Sequence, residues 1–329
     1  MMTSEFLIDL NDHETAWKGS TKHYRPDGSV ASEAGAVIPP EGPRHMFWML
    51  DTIMYAMPEG TDPDENHMPH EHRHGYETFF VDSGKLWLYI DGMKCMLTPG
   101  DIVHLQATQM HGMSFLEDVK WRGTYHDYIV SDDVRAVRKV MEQMPERRDD
   151  PELQKLDPGM DFIPRERFLF KEVPVEECPA VRNPKRPLAE YKFEGVTMKV
   201  LIQRWENGGA KELCCAEMEP GFTAEWVKYP KIRELLYVRN GEVKFKVMND
   251  EFVAYSECLV NIPKFAPHSL EALTKAEVYD LGGLTMWSSF LHDYMSIKIY
   301  DPERFVKPEI IDELKEKFDC QIKCIGMKK

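Results

Sequence analysis

The sequence lacks the features that would place the protein in a membrane or on nucleic acid. The 329-residue chain has no run of about 18 apolar residues, the length that a transmembrane helix needs. Its first residues have neither the basic region nor the apolar core of a secretory signal peptide. Basic residues are also few, with 41 Lys and Arg against 56 Asp and Glu and a net charge of −15. Because a negative protein is repelled by phosphate backbones and anionic lipids, we expect neither a nucleic-acid partner nor membrane binding.

Cysteine is scarce as well. The chain has seven cysteines, an odd number. Cys214 and Cys215 are adjacent, and Cys320 and Cys324 have no second Cys or His pair to complete a zinc site. Disulfide frameworks belong to secreted proteins and are rare in the cytosol. We therefore expect reduced thiols and a cytoplasmic protein.

An internal repeat is the main feature that is present. Residues 157 positions apart correspond without a gap from 70 to 111 and from 227 to 268. The corresponding pairs include Glu77 and Glu234, Gly84 and Gly241, Gly100 and Glu257, and His111 and His268. A chain of this length also favours two domains. We predict domains at 1–150 and 191–300, a connector at 151–190 and a helical tail at 301–329.

Each copy has the apolar pattern of half-buried strands, because apolar residues alternate with polar or exposed ones at a period of two. The apolar positions are Leu86, Leu88 and Ile90 in the first copy and Val243, Phe245 and Val247 in the second. Turn signals such as Asp-Ser-Gly at 82–84 and Pro-Gly-Asp at 99–101 bound these short runs. The pattern predicts an all-β fold of antiparallel sandwiches or barrels, with helices at 132–144 and 302–318.

Four residues of the first copy form a candidate metal site. His70 and His72 are two residues apart on a strand, so their side chains point to one face about 6.5–7 Å apart at Cα. A turn then delivers Glu77, and a second turn delivers His111. Three imidazoles and a carboxylate suit Fe, Mn, Ni, Co, Cu or Zn, and they leave two octahedral positions open. An open position is typical of a catalytic site rather than a structural one.

This spacing resembles the first motif of the cupin superfamily. His70, His72, Glu77 and Gly84 match that motif in order and spacing, and Asp64 stands in place of its leading glycine. The resemblance assigns the two histidines and the glutamate as metal ligands.

The second cupin motif is met at Gly100 and His111, whereas Gln106, Thr108 and Phe115 replace its Pro, Gly and Asn. These departures affect turn residues rather than ligands. Because the resemblance covers both copies, it implies a two-barrel cupin with two double-stranded β-helix barrels and a few peripheral helices. It also implies one divalent transition metal per chain, with iron favoured and Mn, Ni, Cu or Zn as alternatives.

The second copy has lost half of the ligand set. Val227 and Tyr229 stand where the two histidines of the first copy stand, whereas Glu234 and His268 remain. A hydrocarbon side chain cannot bind a metal ion, so we expect the second barrel to be metal-free. Glu234, His268 and Tyr229 are then expected to form a buried hydrogen-bonded cluster.

Four more residues of the first copy are candidates for catalysis. Gln109 and Arg122 are candidates for orienting a substrate, and Tyr125 and His126 for acid–base chemistry. A purely structural role is the alternative for each of them.

Two aromatic residues suggest an interface. Trp87 and Tyr89 alternate with the apolar core positions of their strand, where the second copy has Lys244 and Lys246. Aromatic side chains on an outer face indicate covered surface. We expect the other barrel or another subunit to cover them, and we expect a homo-oligomer.

Three functions fit this pattern. The first, which we favour, is a dioxygenase acting on a small phenolic or keto-enol compound, because two open metal positions can hold substrate and dioxygen together. The second is a non-redox isomerase, lyase, decarboxylase or cyclase in which the ion acts as a Lewis acid. The third is a non-catalytic ligand-binding cupin. Iron, copper or nickel would favour the first and zinc the second.

Overall fold

The chain folds into two compact units. A computed structural model describes residues 4–25, 27–38, 48–67, 69–72, 75–126, 144, 146, 160–162, 170–207, 212–227, 233–281, 287–318 and 324–328. One unit is Trp17–Asn183, here called the N-terminal barrel, and the other is Met1–Ala16 with Pro184–Lys329, here called the C-terminal barrel. No helix in the described ranges has both the length and the apolar character needed to cross a membrane.

Strands dominate both units. Up to residue 183 the strands are β1 (Leu7–Asp9), β2 (Ser20–Tyr24), β3 (Val30–Ile38), β4 (Trp48–Met54), β5 (His70–His72), β6 (Tyr76–Ser83), β7 (Leu86–Ile90), β8 (Met93–Leu97), β9 (Ile102–Leu105), β10 (His111–Phe115), β11 (Val119–His126), β12 (Met160–Phe162), β13 (Lys171–Glu172) and β14 (Val181–Arg182).

The rest of the chain continues in the same way. Its strands are β15 (Ala189–Phe193), β16 (Val196–Ile202), β17 (Leu213–Met218), β18 (Phe222–Val227), β19 (Glu234–Asn240), β20 (Val243–Val247), β21 (Asp250–Ala254), β22 (Cys258–Ile262), β23 (His268–Ala272), β24 (Ala276–Asp280) and β25 (Cys324–Met327). The α-helices in the described residues are α1 (His13–Ala16), α2 (Trp287–Tyr300), α3 (Pro302–Phe305) and α4 (Glu309–Phe318).

The two barrels have the same strand order. In the N-terminal barrel one sheet runs β14-β9-β6-β11-β4-β3-β2 and the other β12-β5-β10-β7-β8-β13. In the C-terminal barrel the sheets run β1-β22-β19-β24-β17-β16-β15 and β25-β18-β23-β20-β21. Strands β2–β11 therefore correspond one to one with β15–β24. The all-β fold with two barrels is confirmed.

The strand register preserves the 157-residue repeat. Across β5 and β10, His111 lies opposite His70, and across β18 and β23, His268 lies opposite Val227. Each residue of the second pair follows its counterpart by 157 positions. The interior positions of the two barrels are thus equivalent, and their side chains can be compared directly.

One glycine in each barrel is required by a close approach of the backbone. Gly84 and Gly241 have φ of +79° and +87°. A Cβ atom at Gly84 would lie 2.2 Å from the carbonyl oxygen of Asp118, and one at Gly241 would lie 2.3 Å from that of Lys275. Only glycine fits such a position, because it has no Cβ and adopts positive φ without strain.

The barrel interiors are filled differently. In the N-terminal barrel, Trp121 packs against Phe79 and Phe115, with ring centroids 4.9 and 5.4 Å apart. The equivalent positions of the C-terminal barrel are Leu236, Ala272 and Val278, which are smaller. A cavity of about 20 Å³, enough for about one water molecule, lies there and is lined by Met198, Cys214, Ala216, Met218, Leu236, Leu270, Val278 and Asp280.

The structure divides the chain differently from the predicted boundaries. Strand β1 belongs to the C-terminal barrel, where Leu7 pairs with Val260 of β22. The predicted connector 151–190 contributes β12, β13 and β14 to the N-terminal barrel. Strands of two or three residues are too short to show an alternating pattern, so they could not be predicted from the sequence.

The helices also differ in part from expectation. The helix predicted at 302–318 is present as α3 and α4, and α4 buries Ile310, Leu314 and Phe318 at intervals of four residues. Asp301 caps α3 by accepting a hydrogen bond of 3.1 Å from the amide of Arg304. Helix α2 was not predicted, and the helix predicted at 132–144 falls almost wholly outside the described residues.

Candidate metal centre

The structure brings three of the four predicted ligands, His70, His72 and His111, into one cluster, and it places the fourth, Glu77, beside His72. His70 and His72 are on β5, His111 is on the adjacent strand β10 of the same sheet, and Glu77 is on β6 of the facing sheet. Because side chains alternate along a strand, His70 and His72 share one face of β5. His72, Glu77 and His111 are buried, and His70 is half-buried.

The three histidines converge on one point. Their ligating nitrogens all lie within 4.8 Å of one another. The ring centroids of His70 and His111 are 4.3 Å apart, and those of His72 and His111 are 5.1 Å apart. With metal–nitrogen bonds of about 2.1 Å, two nitrogens on one ion lie at most about 4.2 Å apart. Small movements of the rings would therefore allow all three to bind one ion.

His111 is held as a neutral imidazole with a free lone pair. Its Nδ1 lies 2.8 Å from the backbone carbonyl oxygen of Gln109 and donates to it. That hydrogen bond fixes the tautomer and leaves Nε2 as an acceptor. Nε2 is buried and has no hydrogen-bond partner in the described residues. Burial, together with the nearby charge of His70, lowers the pKa of His111 to about 3.

Glu77 supplies the negative charge of the cluster. Its Oε2 lies 2.9 Å from Nε2 of His72. Burial alone would raise the pKa of Glu77, but the hydrogen bond to His72 and the charge of His72 outweigh burial and lower the pKa to about 2. Glu77 is therefore a carboxylate at neutral pH.

These residues fit a divalent transition metal. Nε2 of His111 is a buried atom with no partner of its own, and such atoms call for a ligand or an ion. Glu77 contributes an anion, which offsets part of the charge of a divalent ion. Imidazole nitrogens and a carboxylate are the donors that Fe, Mn, Ni, Cu and Zn share.

At the equivalent positions of the C-terminal barrel, the glutamate and the histidine contact each other directly instead. Oε2 of Glu234 lies 2.7 Å from Nε2 of His268, and both side chains are 2% exposed. Nδ1 of His268 lies 3.1 Å from the carbonyl oxygen of Ala266, which corresponds to Gln109. Burial alone lowers the pKa of His268, but the charge of Glu234 and the hydrogen bond to it raise the pKa above 6.5. Tyr229, the third predicted member of this cluster, lies outside the described residues.

Arg122 does not face the histidine cluster, so its predicted role in orienting a substrate is corrected. It lies opposite Phe80 in the β6–β11 register, one residue from the inward-facing Trp121, and therefore on the outer face of the sheet. Its side chain is fully buried, and Nη1 lies 2.8 Å from Oδ2 of Asp82. Asp51 is the second carboxylate beside it, 3.7 Å from Nε.

Gln109 contributes through its backbone rather than through its side chain. The side-chain amide donates to Oδ2 of Asp91 at 2.6 Å, and its oxygen accepts from the amide of Gln106 at 3.1 Å. The side chain therefore stabilises the turn before β10. The predicted role in binding substrate is replaced by the carbonyl that orients His111, a role that no side-chain pattern could have shown.

Tyr125 and His126 are placed only by their strand positions. In the β6–β11 register Tyr125 lies opposite Glu77, and His126 lies opposite Tyr76. Their side chains lie outside the described part of the structure, so their acid–base role stays a prediction.

Tyr89 is covered by its own barrel, which corrects the expected interface. It is fully buried, it stacks on His67 with centroids 4.3 Å apart, and Phe170 packs edge-on at 4.8 Å. Its hydroxyl donates to Oδ1 of Asp64 at 2.7 Å. Trp87 on the same strand is half-buried. The homo-oligomer stays a prediction, without Tyr89 as its support.

His67, which flanks the ligand pair in the sequence, packs beside the cluster. Its carbonyl oxygen accepts from the amide of Met113 at 2.7 Å, and a Cβ on Gly112 would lie 2.3 Å from that oxygen. Gly112 therefore lets the segment before β5 cross close to β10, beside His111. A glycine directly after a candidate ligand was the available signal.

Comparison with known proteins identifies the N-terminal fold. Residues 54–126 match the family described as Cupin domain. No curated protein sequence matches the chain. Among solved structures, a Cupin 2 conserved barrel domain protein from Leptotrichia buccalis is similar at 11% identity and a TM-score of 0.48, over 84% of this chain and 96% of that one.

Oxalate decarboxylase from Bacillus subtilis is similar at 14% identity and a TM-score of 0.48, over 98% of this chain and 89% of that one. A further structure of that enzyme, concerned with its Mn(II) centres, is similar at 14% identity and a TM-score of 0.49, over 100% of this chain and 90% of that one. Similarity at this level carries no information on substrate or metal.

Proposed function

We propose that the chain is a two-barrel cupin and a metal-dependent enzyme with one active barrel, because residues 54–126 match the Cupin domain family and the C-terminal barrel repeats the strand order of the N-terminal barrel. His70, His72, Glu77 and His111 would hold one divalent transition metal ion. The observation that carries this proposal is the buried Nε2 of His111, which faces two other imidazoles and has no hydrogen-bond partner in the described residues.

The protein residues would prepare the site in three ways. The carbonyl of Gln109 fixes the tautomer of His111, so that Nε2 presents its lone pair. Glu77 stays ionised because its pKa is about 2. Phe79, two residues after Glu77 on β6, and Phe115, four residues after His111 on β10, are buried in the apolar core that continues the same interior face, and they would exclude water from that side.

The proposed substrate class rests on the two coordination positions that the four protein ligands would leave open on a metal ion. A divalent transition metal with two open positions supplies Lewis acidity and, for a redox-active ion, the electron chemistry that dioxygen requires. We propose a small phenolic or keto-enol compound as substrate and a dioxygenase as the reaction, because two open positions would let the ion hold such a substrate and dioxygen together. A non-redox isomerase, lyase, decarboxylase or cyclase is the alternative, and it uses the same residues.

Metal analysis followed by an oxygen-uptake screen tests the proposal. Protein purified without added ions should contain one transition metal per chain, and dioxygen uptake should accompany turnover of a phenolic or keto-enol compound. His72→Ala should lose both, whereas the matched variant His268→Ala should keep both. Turnover that persists without dioxygen would overturn the dioxygenase and leave the non-redox enzyme. Full activity of metal-free protein would overturn the metal-dependent enzyme altogether.

A further inference from the structure

The chain that leads into β5 is longer than its counterpart in the C-terminal barrel. Gly60 follows β4, Gly221 follows the equivalent strand β17, and both have positive φ, of +83° and +86°. His70 comes ten positions after Gly60, whereas Val227, which takes its place in the repeat, comes six positions after Gly221. The barrel with the three histidines therefore has four additional residues directly before its candidate ligands.

These residues run beside β10, one of the strands that carry a candidate ligand. We call residues 62–67 the pre-β5 segment. Oγ of buried Ser114 donates to the carbonyl of Pro63 at 2.6 Å, and the amide of Met113 donates to the carbonyl of His67 at 2.7 Å. At the equivalent positions of the C-terminal barrel, β23 pairs with the first residues of β18. The pre-β5 segment therefore takes the place of a regular strand next to β10.

Strand β5 itself makes little contact with β10. It is three residues long, and its register with β10 consists of His70 opposite His111. Its neighbour on the other side, β12, is also three residues long. The position of β5 beside His111 therefore depends on how the pre-β5 segment is held.

One carboxylate anchors the pre-β5 segment to the β7–β8 hairpin. Oδ1 of Asp64 accepts a hydrogen bond from the hydroxyl of Tyr89 at 2.7 Å and another from Nζ of Lys94 at 2.5 Å. Nζ of Lys94 also lies 4.3 Å from the centroid of the Trp87 ring, and the Lys94 side chain is 12% exposed. Hydrogen bonds between charged groups are about twice as strong as neutral ones. Asp64 thus ties the segment to both strands of the hairpin.

His67 connects this anchor to the start of β5. Its side chain is buried and stacks on Tyr89 with ring centroids 4.3 Å apart. Its Nδ1 donates to the carbonyl oxygen of Asp64 at 2.8 Å. Because His67 lies three residues before His70, a shift of Asp64 would reach the first candidate ligand through a short piece of chain.

The anchor lies on the outer face of the sheet. Tyr89 lies opposite Gly112 in the β7–β10 register, one residue from the inward-facing His111, so its side chain points away from the histidine cluster. The equivalent hairpin of the C-terminal barrel carries an exposed ion pair instead, with Nζ of Lys244 2.6 Å from Oε1 of Glu251. Any effect of the anchor on the cluster must therefore pass through the backbone.

We propose that Asp64, Tyr89 and Lys94 are positioning residues, which hold the two histidines of β5 where they can bind the same ion as the histidine of β10. This inference rests on the proposed function, because it requires a metal site at the three histidines. The anchor fixes the ligands before the ion arrives, and ligands that are already in place lose less conformational entropy on binding.

A Co²⁺ titration of metal-free protein tests the proposal. Removing an outer partner of metal ligands typically costs 10–100-fold in metal affinity. Asp64→Ala should therefore raise the dissociation constant for Co²⁺ by about 10–100-fold. Tyr89→Phe, which removes one hydrogen bond and keeps an aromatic ring against His67, should raise it less. Glu251→Gln, which breaks the ion pair of the equivalent hairpin, is the matched control and should keep the wild-type dissociation constant.

The absorption spectrum of bound Co²⁺ separates positioning from general stability. Its visible bands depend on the geometry of the ligands, so at saturating metal Asp64→Ala should show bands displaced from those of wild type. Denaturant unfolding of the metal-free proteins measures stability on its own. A lower free energy of unfolding in Asp64→Ala, with an unchanged dissociation constant and an unchanged spectrum, would show a merely structural role and overturn the proposal.

The remaining outcomes distinguish this inference from the proposed function. Wild-type affinity for Co²⁺ in both Asp64→Ala and Tyr89→Phe would overturn the positioning role and leave the metal centre intact. Wild-type protein that binds no Co²⁺ would instead overturn the metal centre, and the positioning role with it. If Asp64→Ala does not fold, Tyr89→Phe decides alone, and an unchanged dissociation constant in that variant would overturn the proposal.

Discussion

The two barrels share the same strand order and register, but they carry different side chains at the positions that correspond to the candidate metal ligands. In both, a carbonyl two residues earlier orients a buried histidine, His111 in one barrel and His268 in the other. Glu77 contacts His72, whereas Glu234 contacts His268. Where the β5 histidines are present, His111 keeps a free Nε2. Where they are absent, the glutamate binds the remaining histidine.

The pKa of the histidine is shifted in opposite directions in the two barrels. Burial and neighbouring imidazoles lower the pKa of His111 to about 3, whereas Glu234 raises the pKa of His268 despite burial. A neutral imidazole can bind a metal ion and a protonated one cannot. In the C-terminal barrel, the position that corresponds to His111 holds a histidine paired with Glu234 instead of one with an open Nε2.

Metal addition should give the largest difference between the barrels. At a free metal concentration about 1,000 times the dissociation constant, binding should stabilise the folded protein by about 4 kcal/mol. Calorimetry with and without a chelator measures this shift. His72→Ala should abolish it, and His268→Ala should retain it. A shift that disappears in His268→Ala would show that the C-terminal barrel binds the ion.

Alanine at the paired glycines should destabilise the two barrels equally. Positive φ and the clash with a backbone carbonyl together should cost about 2–4 kcal/mol in Gly84→Ala and in Gly241→Ala. Gly60, with φ of +83° and no atom near its missing Cβ, is the control and should lose only the conformational part. Denaturant unfolding measures all three. Unequal losses of unfolding free energy in Gly84→Ala and Gly241→Ala would contradict the equivalence of the two backbones at these turns.

The two histidines should give stability profiles of opposite slope in metal-free protein. The pKa of His111 in the folded protein is about 3, which is below 6.5. Its contribution to the free energy of unfolding is therefore present above pH 6.5 and is lost as pH falls towards 3. The folded pKa of His268 is raised, so its contribution is present below pH 6.5 and is lost as pH rises through that pKa. Each slope is at most about 1.4 kcal/mol per pH unit.

The free energy of unfolding, measured with denaturant across pH, should be compared between wild type and each of the variants His111→Gln and His268→Gln. The two differences give the contributions of His111 and His268 separately. Slopes of the same sign would mean that the pKa values of the two histidines are shifted in the same direction, which would contradict the difference between the two barrels.

Much of this architecture could be predicted from the sequence. The 157-residue offset predicted equivalent barrels because it preserves interior positions and tight turns such as those at Gly84 and Gly241. The spacing of His70 and His72 predicted their convergence because a strand places alternate residues on one face.

The remaining features depend on backbone contacts between distant segments. The backbone carbonyl of Gln109 orients His111 regardless of the side chain of that residue. Ala266 in the C-terminal barrel makes the same contact with His268. Strand β1 pairs with the C-terminal barrel through three residue pairs, which are too few to show an alternating pattern in the sequence. Tyr89 resembles an interface residue in sequence because His67 and Phe170, which cover it, are distant along the chain.

Counting metal ions in three proteins tests the central claim most directly. Elemental analysis of wild type, His111→Ala and His268→Ala, loaded with the same ion and then freed of unbound metal, compares equivalent positions of the two barrels. We expect about one ion per chain in wild type and in His268→Ala, and close to none in His111→Ala, which lacks one of the three imidazoles of the cluster. Two ions per wild-type chain, or a full complement in His111→Ala, would contradict a single metal centre in the N-terminal barrel.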